Sequence, residues 1–232
     1  MLRIVLVYIL LWLSVANSCA RKPRHRKAHV SHLRYDGIDV SHHQGTIDWQ
    51  TVARNPRIKF VYIKATQGVT VTDELYRRNI REARKYGLRC GSYHFLSSAS
   101  PVRAQFRHFC AVVKKSQQDL IPMVDIEREG VRGWSRKQMQ DSLSLFVRLL
   151  KLHYGKSPLV YSQVNFYNKN LAPQFNHYFL CLGKYSASRP QIKGLGRHNI
   201  WQFSERGRVQ GIRGFVDLNR FMSGTSIRHI RL

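Results

Sequence analysis

Phe60-Val61-Tyr62-Ile63-Lys64-Ala65-Thr66, a segment opened by Thr72-Asp73-Glu74 and stopped before Gly87, and Cys90-Gly91-Ser92-Tyr93-His94-Phe95 together decide the fold. The two apolar runs have strand length. The stretch between them has acidic residues at its start and a glycine just past its end, as helices do. A strand, a helix and a second strand in sequence make a crossover unit, and such a unit sets its two strands parallel.

The same alternation extends outward from this unit. Further apolar runs lie at Gly37–Val40, Leu120–Ile126, Leu159–Tyr161, Tyr178–Leu182 and Ile200–Phe203. Ser100-Pro101 places a capping residue and then proline at a helix start. Ser135-Arg136-Lys137-Gln138 has the form of a capping box, and its helix runs to Gly155. Within it Met139, Leu143, Phe146, Val147 and Leu150 recur at helical spacing and define one buried face. Past about Leu171 the segments between apolar runs are too short, or too rich in Gly, Pro and Arg, for full helices. The pattern is that of an α/β fold with a mainly parallel sheet. A barrel that begins with strand-helix units and ends in plain strands fits it, and so does an open doubly wound sheet.

The 232 residues suit one domain plus a short extension. Lys and Arg number 39 against 13 Asp and Glu, a formal charge of +26 that implies an anionic partner. Nucleic acid, anionic lipid and anionic cell-wall polymer all meet that description. The N-terminus separates them. Ile4 to Ala16 are uncharged and strongly apolar, and the run is shorter than the roughly 20 residues of a membrane-spanning helix. With Arg3 before it and small residues after it, residues 1–18 read as an export signal. Ala16-Asn17-Ser18-Cys19 resembles a loose lipobox, which sets lipidation at Cys19 beside ordinary cleavage nearby or an uncleaved anchor. Residues 19–34 read as a basic tether, with six Lys/Arg and three His between Ala20 and Arg34. Such a segment does not fold alone and is drawn to anionic headgroups. Residues 35–232 are the folded domain. An export signal directly upstream argues against a nucleic-acid partner and for the cell envelope: a membrane-anchored lipoprotein, or else a periplasmic or secreted protein.

Cys90, Cys110 and Cys181 sit in apolar stretches, where buried thiols are the common case, and no cysteine spacing resembles a zinc site. Four of the few acidic residues fall at the ends of predicted strands: Asp39, Asp125, Glu127 and Asp217. In parallel α/β folds those ends are where ligands bind. In Met123-Val124-Asp125-Ile126-Glu127 alternation sends both carboxyls to one side. Two carboxyls held close raise one pKa, giving one proton donor and one anion, as glycoside hydrolysis requires. The same spacing also describes solvent-facing acids at a strand end, or a magnesium site, although no phosphate-cradling glycine loop accompanies it.

Gly37-Ile38-Asp39-Val40-Ser41-His42-His43-Gln44-Gly45, Phe60 to Thr66, Ser92-Tyr93-His94-Phe95, Pro122 to Glu127, Trp201-Gln202-Phe203-Ser204 and Val216-Asp217-Leu218-Asn219-Arg220-Phe221 resemble, in order, the motifs of glycoside hydrolase family 25 lysozymes. The resemblance covers the chain from about Tyr35 to Phe221. It implies an irregular (β/α) barrel of five strand-helix units followed by three further strands. It also implies a monomeric, cofactor-free and metal-free muramidase that cuts the β-1,4 bond between N-acetylmuramic acid and N-acetylglucosamine in bacterial peptidoglycan. By the same resemblance Glu127 matches the general acid and Asp125 the assisting carboxylate. Asp39, Asp217, Tyr93, Tyr161 and Trp201 match substrate-binding positions.

Two positions depart from the family pattern. Gln67 stands where Glu is usual, which removes a negative charge from the cleft region. Leu180-Cys181-Leu182 lacks the usual aromatic at Cys181, which is expected to loosen a barrel wall. A catalytically inactive wall-binding module is the alternative these departures allow. His42 and His43, read as neighbours on a strand, would point to opposite sides and so border the cleft rather than hold a metal.

Overall fold

The computed structural model describes residues 34–232. The export signal and all but the last residue of the basic tether, Cys19 included, lie outside the described residues. Nine strands form in chain order: β1 (Gly37–Val40), β2 (Phe60–Gln67), β3 (Val71–Thr72), β4 (Cys90–Phe95), β5 (Met123–Asp125), β6 (Leu159–Gln163), β7 (Phe179–Gly183), β8 (Ile200–Gly207) and β9 (Val216–Phe221). Five helices follow successive strands: α1 (Trp49–Ala53), α2 (Tyr76–Lys85), α3 (Val102–Val112), α4 (Arg136–Tyr154) and α5 (Val164–Asn170). A short α6 (Ile227–Ile230) comes last.

The sheet closes. β1, β2, β4, β5, β6, β7 and β8 pair in parallel in that order, and β9 joins β8 to β1 antiparallel to both. β3 is a two-residue flap hairpinned onto β2. The result is an eight-stranded barrel, which excludes the open doubly wound sheet. Its five strand-helix units and three closing strands follow the sequence expectation.

Along β2, β5, β6 and β9 the inward residues run from apolar at one end of the barrel to polar at the other. β2 presents Phe60, Tyr62 and then Lys64; β5 presents Met123, then Asp125 and, just beyond it, Glu127; β6 presents Leu159, Tyr161 and then Gln163. β9 runs the other way and reads Asp217, Asn219, Phe221. The apolar ends form one cluster with Leu120, Cys181, Ile200 and Ile230, the last contributed by α6 at the floor. Two glycines make room for the large rings. A Cβ on Gly37 would lie 2.4 Å from the Phe60 ring, and one on Gly91 would lie 2.5 Å from the Tyr62 ring.

The helices cover the outside with the faces their periodicity marks. α4 buries Leu143, Phe146, Val147 and Leu150, starts at the Ser135–Gln138 capping box and stops at left-handed Gly155. Met139 is only half-buried. Two helix starts differ from expectation. α3 begins at Val102 with Pro101 as its N-cap, so Ser100 lies outside it and its hydroxyl is buried without a partner. α2 begins at Tyr76, so Asp73 precedes the helix instead of lying on its exposed first turn. Asp73 is buried, because its carboxylate accepts hydrogen bonds from the backbone N–H of His42 at 2.9 Å and pairs with His42 Nδ1 at 2.8 Å. His42 and His43 lie in a single 3-10 turn capped by Ser41, not on a strand, and their rings are 4.0 Å apart. Cys90 and Cys181 are buried free thiols, and Cys110 is a half-buried free thiol.

Candidate active site

The parallel strands all end at one rim. Because β9 runs in the opposite sense, its first residues reach the same rim. This places Asp217 directly opposite Asp39 in the β1–β9 register. At that rim lies a cavity of about 450 Å³, enough for a small part of a glycan. It is lined by six carboxylates (Asp39, Asp125, Glu127, Glu129, Glu205 and Asp217), with Lys64 as the cation among them. Tyr93, Tyr161, Gln163, Tyr185 and Gln202 complete most of the wall.

Gln202 organises one side. Its Oε1 accepts hydrogen bonds from Tyr161 at 2.6 Å and Tyr185 at 2.8 Å, while its Nε2 donates to Asp39 Oδ2 at 2.8 Å. Asn219 Nδ2 donates to the same Asp39 oxygen at 2.9 Å. Gln163 Nε2 donates to the Tyr161 hydroxyl at 3.1 Å and to that of Tyr185 at 2.9 Å. The amide orientation of Gln202 is fixed by this arrangement, since a flip would aim N–H at hydroxyl donors and oxygen at a carboxylate. Both tyrosines are thereby locked in place.

Four of these carboxyls, Asp39, Asp125, Glu127 and Asp217, are held towards the neutral form. Burial pushes Asp39 up to about 6, against the pull of its Asn219 and Gln202 donors. Asp217 is pushed up to about 8 by burial and then by the charges of Asp39, Glu205 and Glu127. Asp125 is buried, and its Oδ1 receives no hydrogen bond. Burial first, and repulsion from Glu127 second, raise it well above the usual carboxylate range, with Lys64 opposing. Glu127 is raised as well, by burial and then by Glu129, while Tyr161, Gln163 and Lys64 pull it back. Lys64 is lowered by its own burial. It donates to Gln67 Oε1 at 2.9 Å and lies 5.1 Å over the Phe95 ring.

Asp39, Tyr93, Asp125, Glu127, Tyr161 and Asp217, singled out in the sequence, meet in this one cavity. Trp201 does not line it. Gln202 takes the inward position on β8, and Trp201 beside it donates its indole N–H to Lys184 O at 2.9 Å and lies under the Arg220 guanidinium. Lys64, Glu129, Gln163, Tyr185, Gln202 and Glu205 were missed. For Lys64 the signal was available: it extends the inward alternation Phe60, Tyr62 within an apolar strand. Cys181 sits in the core cluster, its thiol 3.8 Å from Asn219 Oδ1. Among the described residues no three His, Cys, Asp or Glu side chains come together so as to hold a metal ion.

Four carboxyls with raised pKa values, at the rim where the barrel strands end, are suited to proton transfer to a leaving group. Comparison with known proteins gives the same direction. The model of glycosyl hydrolases family 25 matches residues 38–212. The uncharacterized protein YegX of Escherichia coli (strain K12) is 38% identical over 189 residues, covering 80% of this chain and 68% of that protein. An autolytic lysozyme of Clostridium acetobutylicum is 32% identical over 188 residues, covering 81% of this chain but 56% of its own length. The solved family 25 glycosyl hydrolase from Bacillus anthracis superimposes with a TM-score of 0.74 at 28% identity, over 82% of this chain and 91% of that one. The family match spans most of the barrel and the barrel itself is shared with a solved member, so the chain belongs to family 25 of the glycosyl hydrolases and is a glycoside hydrolase.

Proposed function

We propose that the protein is a muramidase, hydrolysing the β-1,4 bond between N-acetylmuramic acid and N-acetylglucosamine in bacterial peptidoglycan. The observation that carries the reading is Asp125, a buried carboxyl with an unpartnered oxygen, next in line to half-buried Glu127 at the cavity mouth. Two such groups titrate as a pair, and repulsion keeps a proton on it at pH values where isolated carboxyls are ionised.

Glu127 acts as general acid. As the bond from the anomeric carbon to the bridging oxygen breaks, positive charge grows on the sugar ring. That charge favours the anionic form of Asp125, so the pair's proton resides on Glu127, the member open to the leaving oxygen. Glu127 gives it to that oxygen, and the departing sugar leaves as a neutral alcohol. In the return step the Glu127 carboxylate takes a proton from water as the water oxygen bonds to the anomeric carbon. Asp39, ionised above about pH 6, adds negative potential beneath the ring. Asp217 keeps its proton up to about pH 8 and stands there as a hydrogen-bond donor, and Tyr161, Tyr93 and Lys64 shape the pocket around it.

The substrate lies outside the cytoplasmic membrane, in keeping with an export signal at residues 1–18 and a basic, Cys19-lipidated tether at 19–34. Mass analysis of fragments released from purified peptidoglycan tests the reading. Fragments ending in reducing N-acetylmuramic acid are expected. Reducing N-acetylglucosamine, free peptides or intact wall that merely binds the protein would each replace it with another activity.

A further inference from the structure

Glu127 stands between two cavities. Beyond it, away from Asp39, Asp125 and Asp217, a second groove of about 630 Å³ opens, and Glu127, Glu129 and Gln163 line both. The two differ in charge. The first is walled by carboxyls, whereas the second carries Arg128, Arg132 and Lys169 around the half-buried rings of Trp134 and Phe166.

The cations stand on anchored backbone. Arg128 and Arg132 belong to the turn after β5, which is fastened to the loop after β4. Ser98 N–H donates to Gly130 O at 2.8 Å and the Ser98 hydroxyl to Arg132 O at 2.9 Å. A Cβ on Gly130 would lie 2.3 Å from Leu96 O, so this approach admits only glycine. Lys169 projects from α5. The ion pairs among the described residues engage His42, Lys59, Arg81, Arg84, Arg89 and Lys137, and none of the three groove cations. Three exposed, uncommitted cations around an apolar floor fit a ligand that has both a flat apolar face and negative charge.

We propose that this groove holds the leaving half of the glycan and reads the carboxylates of the peptide attached to it. The assignment rests on Glu127 being the general acid. The sugar that becomes positive must sit over the buried carboxyls, so the sugar that departs lies on the other side of Glu127, in the cationic groove. The departing sugar itself is N-acetylglucosamine, and the N-acetylmuramic acid next along the leaving strand bears, through its lactyl group, a peptide with free carboxylates. Peptidoglycan thus supplies the matching charge one sugar beyond the bond that is cut. The enzyme is therefore selective for peptide-substituted strands, through contacts on the leaving-group side.

Binding separates this from catalysis. Glu127→Gln is titrated with purified glycan strands carrying their peptides and with the same strands stripped by an amidase, at one fixed low salt concentration. Intact strands are expected to bind roughly tenfold more tightly, the scale of a few exposed charge contacts acting together. With Arg132→Ala and Lys169→Ala added, that advantage should disappear, leaving intact and stripped strands bound alike. Equal binding of both strands by the Glu127→Gln protein would overturn the inference. So would an equal loss on both strands when the two cations are removed, which would mean attraction to the polymer as a whole. Turnover of intact strands by the wild type is read in parallel. Peptide-dependent binding without turnover would support the groove and refute the muramidase reading; turnover without peptide dependence would refute the groove alone.

Discussion

Asp39→Asn should stabilise the protein above pH 6 and leave it nearly unchanged near pH 4. In the folded state burial lifts this carboxyl from its ordinary 3.8 to about 6. Between those values the folded chain binds a proton that the unfolded chain has released, so stability falls as pH rises through that window. Above about pH 6 the aspartate is ionised in both states, and the cost of burying its charge is present in full. A rise from 3.8 to about 6 corresponds to about 3 kcal/mol. The amide removes that cost without losing the network, since its oxygen can still accept from Gln202 and Asn219. For a domain of this size about 3 kcal/mol is a gain in Tm of roughly 6–12 °C. Thermal unfolding of both proteins from pH 4 to pH 8 measures it, and the curves should diverge between pH 4 and 6. Parallel curves, or a variant less stable at pH 8, would refute the claim that the cleft carboxyls are held against the stability of the fold. Their retention at such a cost is what a catalytic use would explain.

Three further outcomes follow from the same contacts. Lys64→Met removes the cation that lowers both Asp125 and Glu127, so the acidic limb of the kcat/KM profile should move to higher pH; an unmoved limb would mean that neither carboxyl governs it. Gly91→Ala forces a Cβ to 2.5 Å from the Tyr62 ring, which is held by a 3.0 Å hydrogen bond to Ile121 O, and should cost about 3 kcal/mol in urea unfolding. An unchanged midpoint would show that the barrel interior yields there. Labelling cells with a fatty-acid probe should mark the wild type and not Cys19→Ala, and equal labelling of both would remove the lipidated tether.

The barrel was legible because its inner face is written as alternation. Met123, Asp125 and Glu127 occupy every second position, so one line of sequence gives both the floor contact and the chemistry. β9 was harder to see. Its inward residues Asp217 and Asn219 are polar, while its buried Val216 and Leu218 alternate with them, so no apolar run marks it. Trp201 belongs to a motif shared with the family, yet the neighbouring Gln202 has the inward position, and only the pairing of β8 with β7 and β9 decides between them. Asp73 read as a helix-start acid because local capping rules see three or four residues. Its partner His42 is 31 positions away, and burial followed from that contact. The cationic groove is illegible in the sequence for the same reason: Arg132 and Lys169 are ordinary surface residues until the fold sets them beside Glu127.

The central claim is that Glu127 supplies the proton to the leaving sugar, and turnover of purified peptidoglycan by Glu127→Gln tests it most directly. The substitution keeps the shape of the side chain and removes its acid, so thermal unfolding and binding to wall fragments should stay close to wild type. Release of new reducing ends should fall about 10²–10⁴-fold, the usual measure of lost general acid catalysis. Cleavage within a few-fold of wild type by the folded variant would contradict the account, and another group would have to be the acid.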